Sequence, residues 1–415
     1  MGTNHQFGTM KEDGRKARIL IVTSGPACRN PRAFKEATAL AAADYDVTLL
    51  TIFETESDSS EDSRLLAATS VRRIELRSGR GLKSLFSRLG TWCARKAVRF
   101  TPWSPPASLG PAGRLLEASR QVAADLTIVH TEIAFWVGSF LLAEGRLVAA
   151  DFEDWHSEDL LPEAQKSRPI KLIRRLEAEM LRKACYSSTT SEAMAGELAL
   201  AYSAPRPFVL SNSFPLQAAV GPRWAREPEM VWFSQTIGPG RGLEEFLAAW
   251  AKTKPLVGRL TLFGRPIPGY EDDLLAGLDD AFRSRISVAG PVPPDSLPGR
   301  LQEFDLGLAL EPRHPRNKDL TISNKILQYL NAGLAVISTP TKGQLEVLGN
   351  APGAGHGLDF QAGEASAELG RILGDAAGLR AAQAAARKAA EGCYCWEKEA
   401  PKLQSLVSRS LEGSR

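Results

Sequence analysis

Short unbroken apolar runs alternate with amphipathic stretches along most of this chain. Arg18-Ile-Leu-Ile-Val-Thr23 opens the pattern. A run that is apolar at consecutive positions, rather than at every second one, predicts a strand buried on both faces, as in a parallel sheet. It ends in the turn Ser24-Gly25-Pro26. Asn30-Pro31 then reads as the cap and first position of a helix carrying Ala33, Phe34, Ala37, Leu40 and Ala41 at helical spacing. The run from Asp46 to Ile52 predicts the next strand and completes a β-α-β opening. Further strands are expected from Asp125 to His130, from Arg146 to Ala150 and from Cys185 to Thr190, with a basic helix from Pro169 to Ala184 before the last of them.

A second series follows the loop around Asn212. Its expected strands run from Met230 to Ser234, Arg259 to Phe263, Ile286 to Ala289, Asp305 to Leu310 and Leu334 to Ser338. Two such series predict an α/β chain of two doubly wound, Rossmann-like domains. The expected division is a disordered tail over 1–16, an N-terminal domain over 17–208, a C-terminal domain over 209–385 and a helical segment over 386–415. The length of 415 residues fits two or three domains. In sheets of this kind ligands bind beyond the carboxyl ends of the strands, so the loops that follow strands are where chemistry is expected.

Composition narrows the class. Hydrophobic residues are 43% and charged residues 24%, which suits a globular chain with a sizeable core. The net charge of +3 does not announce a nucleic-acid binder. Five cysteines at scattered spacing give no disulfide or zinc framework, so a reducing, cytoplasmic setting and no metal are expected. No secretory leader is visible in the polar residues 1–16. The apolar run from Ile133 to Ala143 is too short to span a bilayer.

Four segments carry candidate chemistry. Ser323-Asn-Lys-Ile-Leu-Gln-Tyr-Leu-Asn-Ala-Gly333 reads as a helix capped by Ser323 or Asn324 and stopped at Gly333. Its N-terminus and Lys325 suit phosphate oxygens, and Gln328 shares a face with Lys325 and suits a ribose hydroxyl. The segment Trp232-Phe-Ser-Gln-Thr-Ile-Gly-Pro-Gly-Arg-Gly242 lies after a strand and before a helix. Gly240 lets backbone approach a diphosphate, and Arg241 offers a fork of donors. It is neither a Walker A loop nor GxGxxG. His130, with the acidic loop Asp151 to Asp159, offers general-base or hydroxyl-binding groups, above all His130, Asp151 and Asp154. The stretch from Arg77 to Trp103 has seven cations, no carboxylate, and Leu82, Leu85, Phe86, Leu89 and Trp92 at helical spacing. It fits a helix lying on an anionic membrane surface, or equally one packed on its own domain with a basic outer face.

Together these segments resemble glycosyltransferases of the GT-B fold, of the large "group 1" family that uses nucleotide-sugar donors. The resemblance runs from about Arg18 to Leu411. Asn30-Pro-Arg-Ala-Phe-Lys-Glu-Ala37 is similar to the family's first loop and helix, and His130-Thr-Glu132 to its His-containing loop. Asp151-Phe-Glu-Asp154 stands where the family often has an acidic loop. Gly240-Arg-Gly-Leu243 is similar to the start of its first donor-domain helix, and Ser323 to Gly333 with Leu-Ala-Val-Ile after it is the most specific piece. The tail from Cys395 to Glu399 resembles the start of a final helix that returns to the N-terminal domain.

The resemblance implies two domains facing a cleft. A nucleoside-diphosphate sugar would be bound as a substrate, with no cofactor, by Gly240, Arg241, Ser323, Asn324, Lys325 and Gln328. His130 and Asp154 would be catalytic, and Asn30, Arg32 and Asp151 would face a sugar or lipid-linked acceptor. The cysteine usage points to a cytoplasmic enzyme, and the basic stretch from Arg77 to Trp103 to a peripheral place at the inner face of the membrane, in polysaccharide biosynthesis. The family's paired glutamates fall at Leu320 and Gln328, and its arginine after the first donor strand is replaced by Ser234-Gln235-Thr236. A nucleotide-sugar epimerase and a catalytically inactive scaffold of the same fold remain alternatives.

Overall fold

The computed structural model describes residues 14–53, 55–77, 89–96, 98, 105–219 and 227–413. The chain forms two compact units. Residues 1–190, 194–210 and 400–415 make the first, and residues 191–193 and 211–399 the second.

The first unit holds a seven-stranded parallel sheet in the order β3-β2-β1-β4-β5-β6-β7. Its strands are β1 (Arg18–Val22), β2 (Asp46–Phe53), β3 (Arg72–Arg77), β4 (Leu126–His130), β5 (Val148–Phe152), β6 (Ser187–Thr189) and β7 (Phe208–Val209). The order reverses between β1 and β4. Ile19, Ile21, Val47, Leu49 and Ile128 pack on Leu40 of the helix Pro31–Ala42. They also meet Leu403, Leu406, Val407 and Leu411 of the last helix, Trp396–Gly413. The spacing of those last four residues puts them on one helical face. The last helix is Trp396–Gly413, and the helix before it, Ala376–Gly392, contributes Leu379 and Ala382 to the second unit's core.

The second unit repeats the pattern with six parallel strands in the order β10-β9-β8-β11-β12-β13. These are β8 (Glu229–Ile237), β9 (Arg259–Pro266), β10 (Ile286–Ala289), β11 (Leu306–Ala309), β12 (Ala335–Ser338) and β13 (Gly355–Gly357). Its reversal lies between β8 and β11. Each unit is a doubly wound sheet, and in sheets of this kind the reversal is the usual place for a ligand.

Two expectations change. Strand β5 begins later than Arg146 and extends through Phe152, so Asp151 belongs to the strand and not to the loop. A charge can sit in a fully buried strand there because Arg32 neutralises it. Asn30 does occupy the cap position, yet its amide donates to Pro26 O at 2.9 Å and caps nothing. Among the described residues no helix is long and apolar enough to cross a membrane.

Candidate functional site

In the second unit, two loops meet at the reversal. The chain leaves β8 and turns through Gly240 and Gly242, both with positive φ (71° and 77°), a conformation that favours glycine. A Cβ on Gly242 would lie 3.0 Å from the Cβ of Leu310, so this turn packs against the end of β11. Arg241 is half-buried, and its Nη2 donates to Thr236 Oγ1 at 3.3 Å.

Glu311 follows directly after Leu310. Its backbone is held by Thr339, whose hydroxyl accepts the Glu311 N–H at 2.8 Å and donates to Glu311 O at 2.6 Å. The Gln344 amide braces that threonine in turn, donating to its Oγ1 at 3.0 Å and its carbonyl at 2.9 Å.

The helix Asn324–Ala332 starts beside Glu311. Ser323 caps it, its Oγ accepting the Lys325 N–H at 3.2 Å, and Gly333 ends it with φ 74°. Ile326, Leu327, Tyr329 and Leu330 are buried in the core, which leaves Asn324, Lys325 and Gln328 on the outer side. Lys325 Nζ donates to Glu311 Oε1 at 2.6 Å, and Ser323 Oγ donates to the same oxygen at 3.0 Å. The ammonium lies 5.7 Å from the Trp232 ring centre. Burial alone would raise the Glu311 pKa, but Lys325 outweighs it, with help from Lys318 and Ser323, and holds the carboxyl below its usual range. Asn324 Oδ1 accepts from Asn212 Nδ2 at 3.1 Å. Gln328 Oε1 is buried without a hydrogen-bond partner among the described residues. An unpaired buried acceptor of that kind is costly unless something supplies a donor. The structure therefore brings Ser323, Asn324, Lys325 and Gln328 onto one helix start.

Glu311 is the residue that sequence reasoning left unassigned. It lies outside the motif that resembles the family, and its pairing with Lys325 spans a loop.

In the first unit, the sequence candidates converge on a different arrangement. Arg32 is fully buried; its Nε and Nη2 donate to Asp151 Oδ1 and Oδ2 at 2.8 and 2.6 Å, and its Nη1 to Leu210 O at 2.7 Å. Ser188 Oγ donates to Asp151 Oδ2 at 2.6 Å. Glu36, one helical turn after Arg32, approaches Arg32 Nε and His130 Nε2, each at 3.3 Å. His130 is 3% exposed, and its Nδ1 is 3.7 Å from Asp151 Oδ1. Burial disfavours its imidazolium, but Glu36 and Asp151 outweigh that and raise its pKa. Arg32 and Asp151 thus spend their polar groups on one another, on Leu210 and on Ser188, whereas both ring nitrogens of His130 are buried without a hydrogen-bond partner among the described residues. The groups beyond the strand end are Glu153 and Asp154. Burial pushes the Glu153 carboxyl up to about 7, and the Asp154 charge adds to it.

The basic stretch lies mostly outside the described residues, including Arg80, Lys83, Arg88, Arg99 and Trp103. Residues 89–96 are helical, with Leu89 and Trp92 exposed at 52% and 58%. Arg95 Nε donates to Ser108 O at 3.1 Å, and the Lys96 ammonium lies 5.6 Å from the Trp92 ring centre. On the second basic helix, Ile170–Lys183, Arg174 pairs with Glu158 and Lys183 with Glu179. Among the described residues no group of three or more His, Cys, Asp and Glu is placed to hold a metal ion.

No protein-family model matches the sequence, and no curated protein sequence matches it. Solved structures do. Sucrose-phosphate synthase of Thermosynechococcus elongatus is 17% identical, with a TM-score of 0.70, over 96% of this chain and all of that one. HepE of Anabaena, solved with UDP-glucose, is 15% identical with a TM-score of 0.65, over 94% and 99% of the two chains. TarM of S. aureus is 8% identical with a TM-score of 0.69, over 96% and 100%. These neighbours are glycosyltransferases of the GT-B fold, and the likeness over nearly the whole length gives this chain that fold.

Proposed function

We propose that this chain is a glycosyltransferase whose second unit binds a nucleoside-diphosphate sugar at the start of the helix Asn324–Ala332. One observation carries the reading: Lys325 Nζ and Ser323 Oγ converge on a single anionic oxygen at a helix N-terminus, at the sheet's reversal point. Free N–H groups, the helix dipole and an ammonium together suit a diphosphate. HepE, solved with UDP and with UDP-glucose, and TarM, solved with UDP, support a nucleotide donor.

The reaction is displacement of the diphosphate at the anomeric carbon by an acceptor hydroxyl. Negative charge grows on the leaving phosphate oxygens as that bond breaks. Lys325, the Ser323–Lys325 turn and Arg241 would stabilise it electrostatically, with no metal ion required. Gln328 Oε1, unpartnered and buried, would accept a ribose hydroxyl. In the first unit Asp154 and its neighbour Glu153 would face the acceptor, a sugar or a lipid-linked polysaccharide precursor. Arg32 and Asp151 would hold that strand end in place, because their polar atoms are committed within the fold, and His130, whose buried ring nitrogens have no hydrogen-bond partner among the described residues, would be catalytic with Asp154. The cations between Arg77 and Trp103 would bring the chain to an anionic membrane from the cytoplasmic side.

A panel of nucleoside-diphosphate sugars, each incubated with candidate lipid-linked acceptors, tests the reading. Acceptor-dependent release of a nucleoside diphosphate supports it. Conversion of the nucleotide sugar into an isomer without acceptor would instead identify an epimerase.

A further inference from the structure

The two groups that would meet the donor's phosphates already hold an anion, and it belongs to the protein. Lys325 Nζ and Ser323 Oγ both donate to Glu311 Oε1, at 2.6 and 3.0 Å. The pair is mostly buried, with the two side chains 12% and 15% exposed. Removing a carboxylate and an ammonium from water is costly, and their attraction offsets that only with good geometry and further hydrogen bonds. Here the same geometry is what a phosphate oxygen would find: one ammonium, one hydroxyl and the first turn of a helix.

From this we infer that Glu311 is an internal stand-in for the donor diphosphate, and that a nucleoside diphosphate binds by displacing its carboxylate from Lys325 and Ser323. The inference rests on the reading of the second unit as a donor site. Backbone anchoring by Thr339 keeps Glu311 at the end of β11 while its side chain is exchanged. The consequence is a site that stays neutral and ordered when empty, at the expense of donor affinity. A ligand that must displace an internal competitor binds more weakly by the fraction of time the site is open.

Lys318 is exposed, and its charge also favours the ionised Glu311 carboxylate. The exchange releases one carboxylate from a cation and breaks no covalent bond.

The test is calorimetric titration of the full chain with UDP, ADP and GDP, in wild type, Glu311→Gln and Glu311→Ala. Glutamine keeps the shape and removes the charge. The expected result is tighter binding of the accepted diphosphate, by at least threefold in both variants. Measurable binding in wild type with equal or weaker binding in the variants overturns the stand-in and leaves the donor site in place. No binding of any diphosphate in any of the three overturns both. A structure of the wild-type chain with the bound diphosphate reads the same question without a substitution. Lys325 Nζ on a phosphate oxygen with Glu311 withdrawn supports the exchange, and Lys325 still on Glu311 refutes it.

Discussion

Arg32 and Asp151, 119 positions apart in the chain, form a two-point ion pair with no exposed atoms on either side chain, at 2.8 and 2.6 Å. The pair joins the helix Pro31–Ala42 to the end of β5, and the third arm of Arg32 reaches Leu210 O, where the first unit's last strand ends. Such a pair contributes little net stability compared with well-packed apolar groups, but losing one partner strands a buried charge.

Arg32→Met should therefore destabilise the first unit by about 3–5 kcal/mol, and Asp151→Leu by a similar amount. The double variant Arg32→Met with Asp151→Leu should cost less than the sum of the two. Urea unfolding followed by circular dichroism measures all three, and strict additivity would contradict the coupling.

Glu153 gives the first unit a pH signature. Its carboxyl is raised from the usual 4.5 to about 7 by burial, with the Asp154 charge second. The folded state thus holds a proton that the unfolded state releases above pH 4.5. Stability from this group is fully present below pH 4.5 and is lost as pH rises through about 7. His130, raised from 6.5 by Glu36 and Asp151 against the opposing effect of burial, loses its contribution over a window that starts higher. Glu153→Gln should match wild type near pH 4.5 and be the more stable protein above pH 7. Urea midpoints at several pH values read this directly. A difference between the two proteins that does not change with pH would contradict the assignment.

Gly307 in β11 lies under Tyr329 of the site helix. A Cβ there would stand 2.2–2.4 Å from the tyrosine ring carbons, while the Tyr329 hydroxyl donates to Leu308 O at 3.2 Å. Gly307→Ala should cost about 1–3 kcal/mol by overpacking. Because Tyr329 and Lys325 share one helix, the same variant should weaken diphosphate binding. Adding Tyr329→Leu should recover much of both, and a double variant no better than Gly307→Ala would place the strain elsewhere.

Most strands of both sheets were legible because they are continuous apolar runs, which is what burial on two faces produces. The sequence reading did not pick out β3, Arg72–Arg77, because it alternates charge with apolar residues at the sheet's edge. β13, Gly355–Gly357, has no apolar side chain except that of its neighbours. The helix start at Ser323 was legible from its cap and its closing Gly333, since both are local signals. The Arg32–Asp151 and Glu311–Lys325 pairs were not. Each joins residues that only the completed sheet brings together. Asp151 also looked like loop punctuation, because a charge in a buried strand makes sense only once its partner is known.

The central claim is that the helix start at Ser323–Lys325 receives a nucleoside diphosphate. Calorimetry of the wild-type chain against UDP, ADP and GDP, repeated with Lys325→Ala, tests it most directly. Wild type should bind at least one diphosphate saturably, with affinity reduced several-fold or more in the variant. Saturable binding of equal strength in both proteins, or none to wild type, would contradict it.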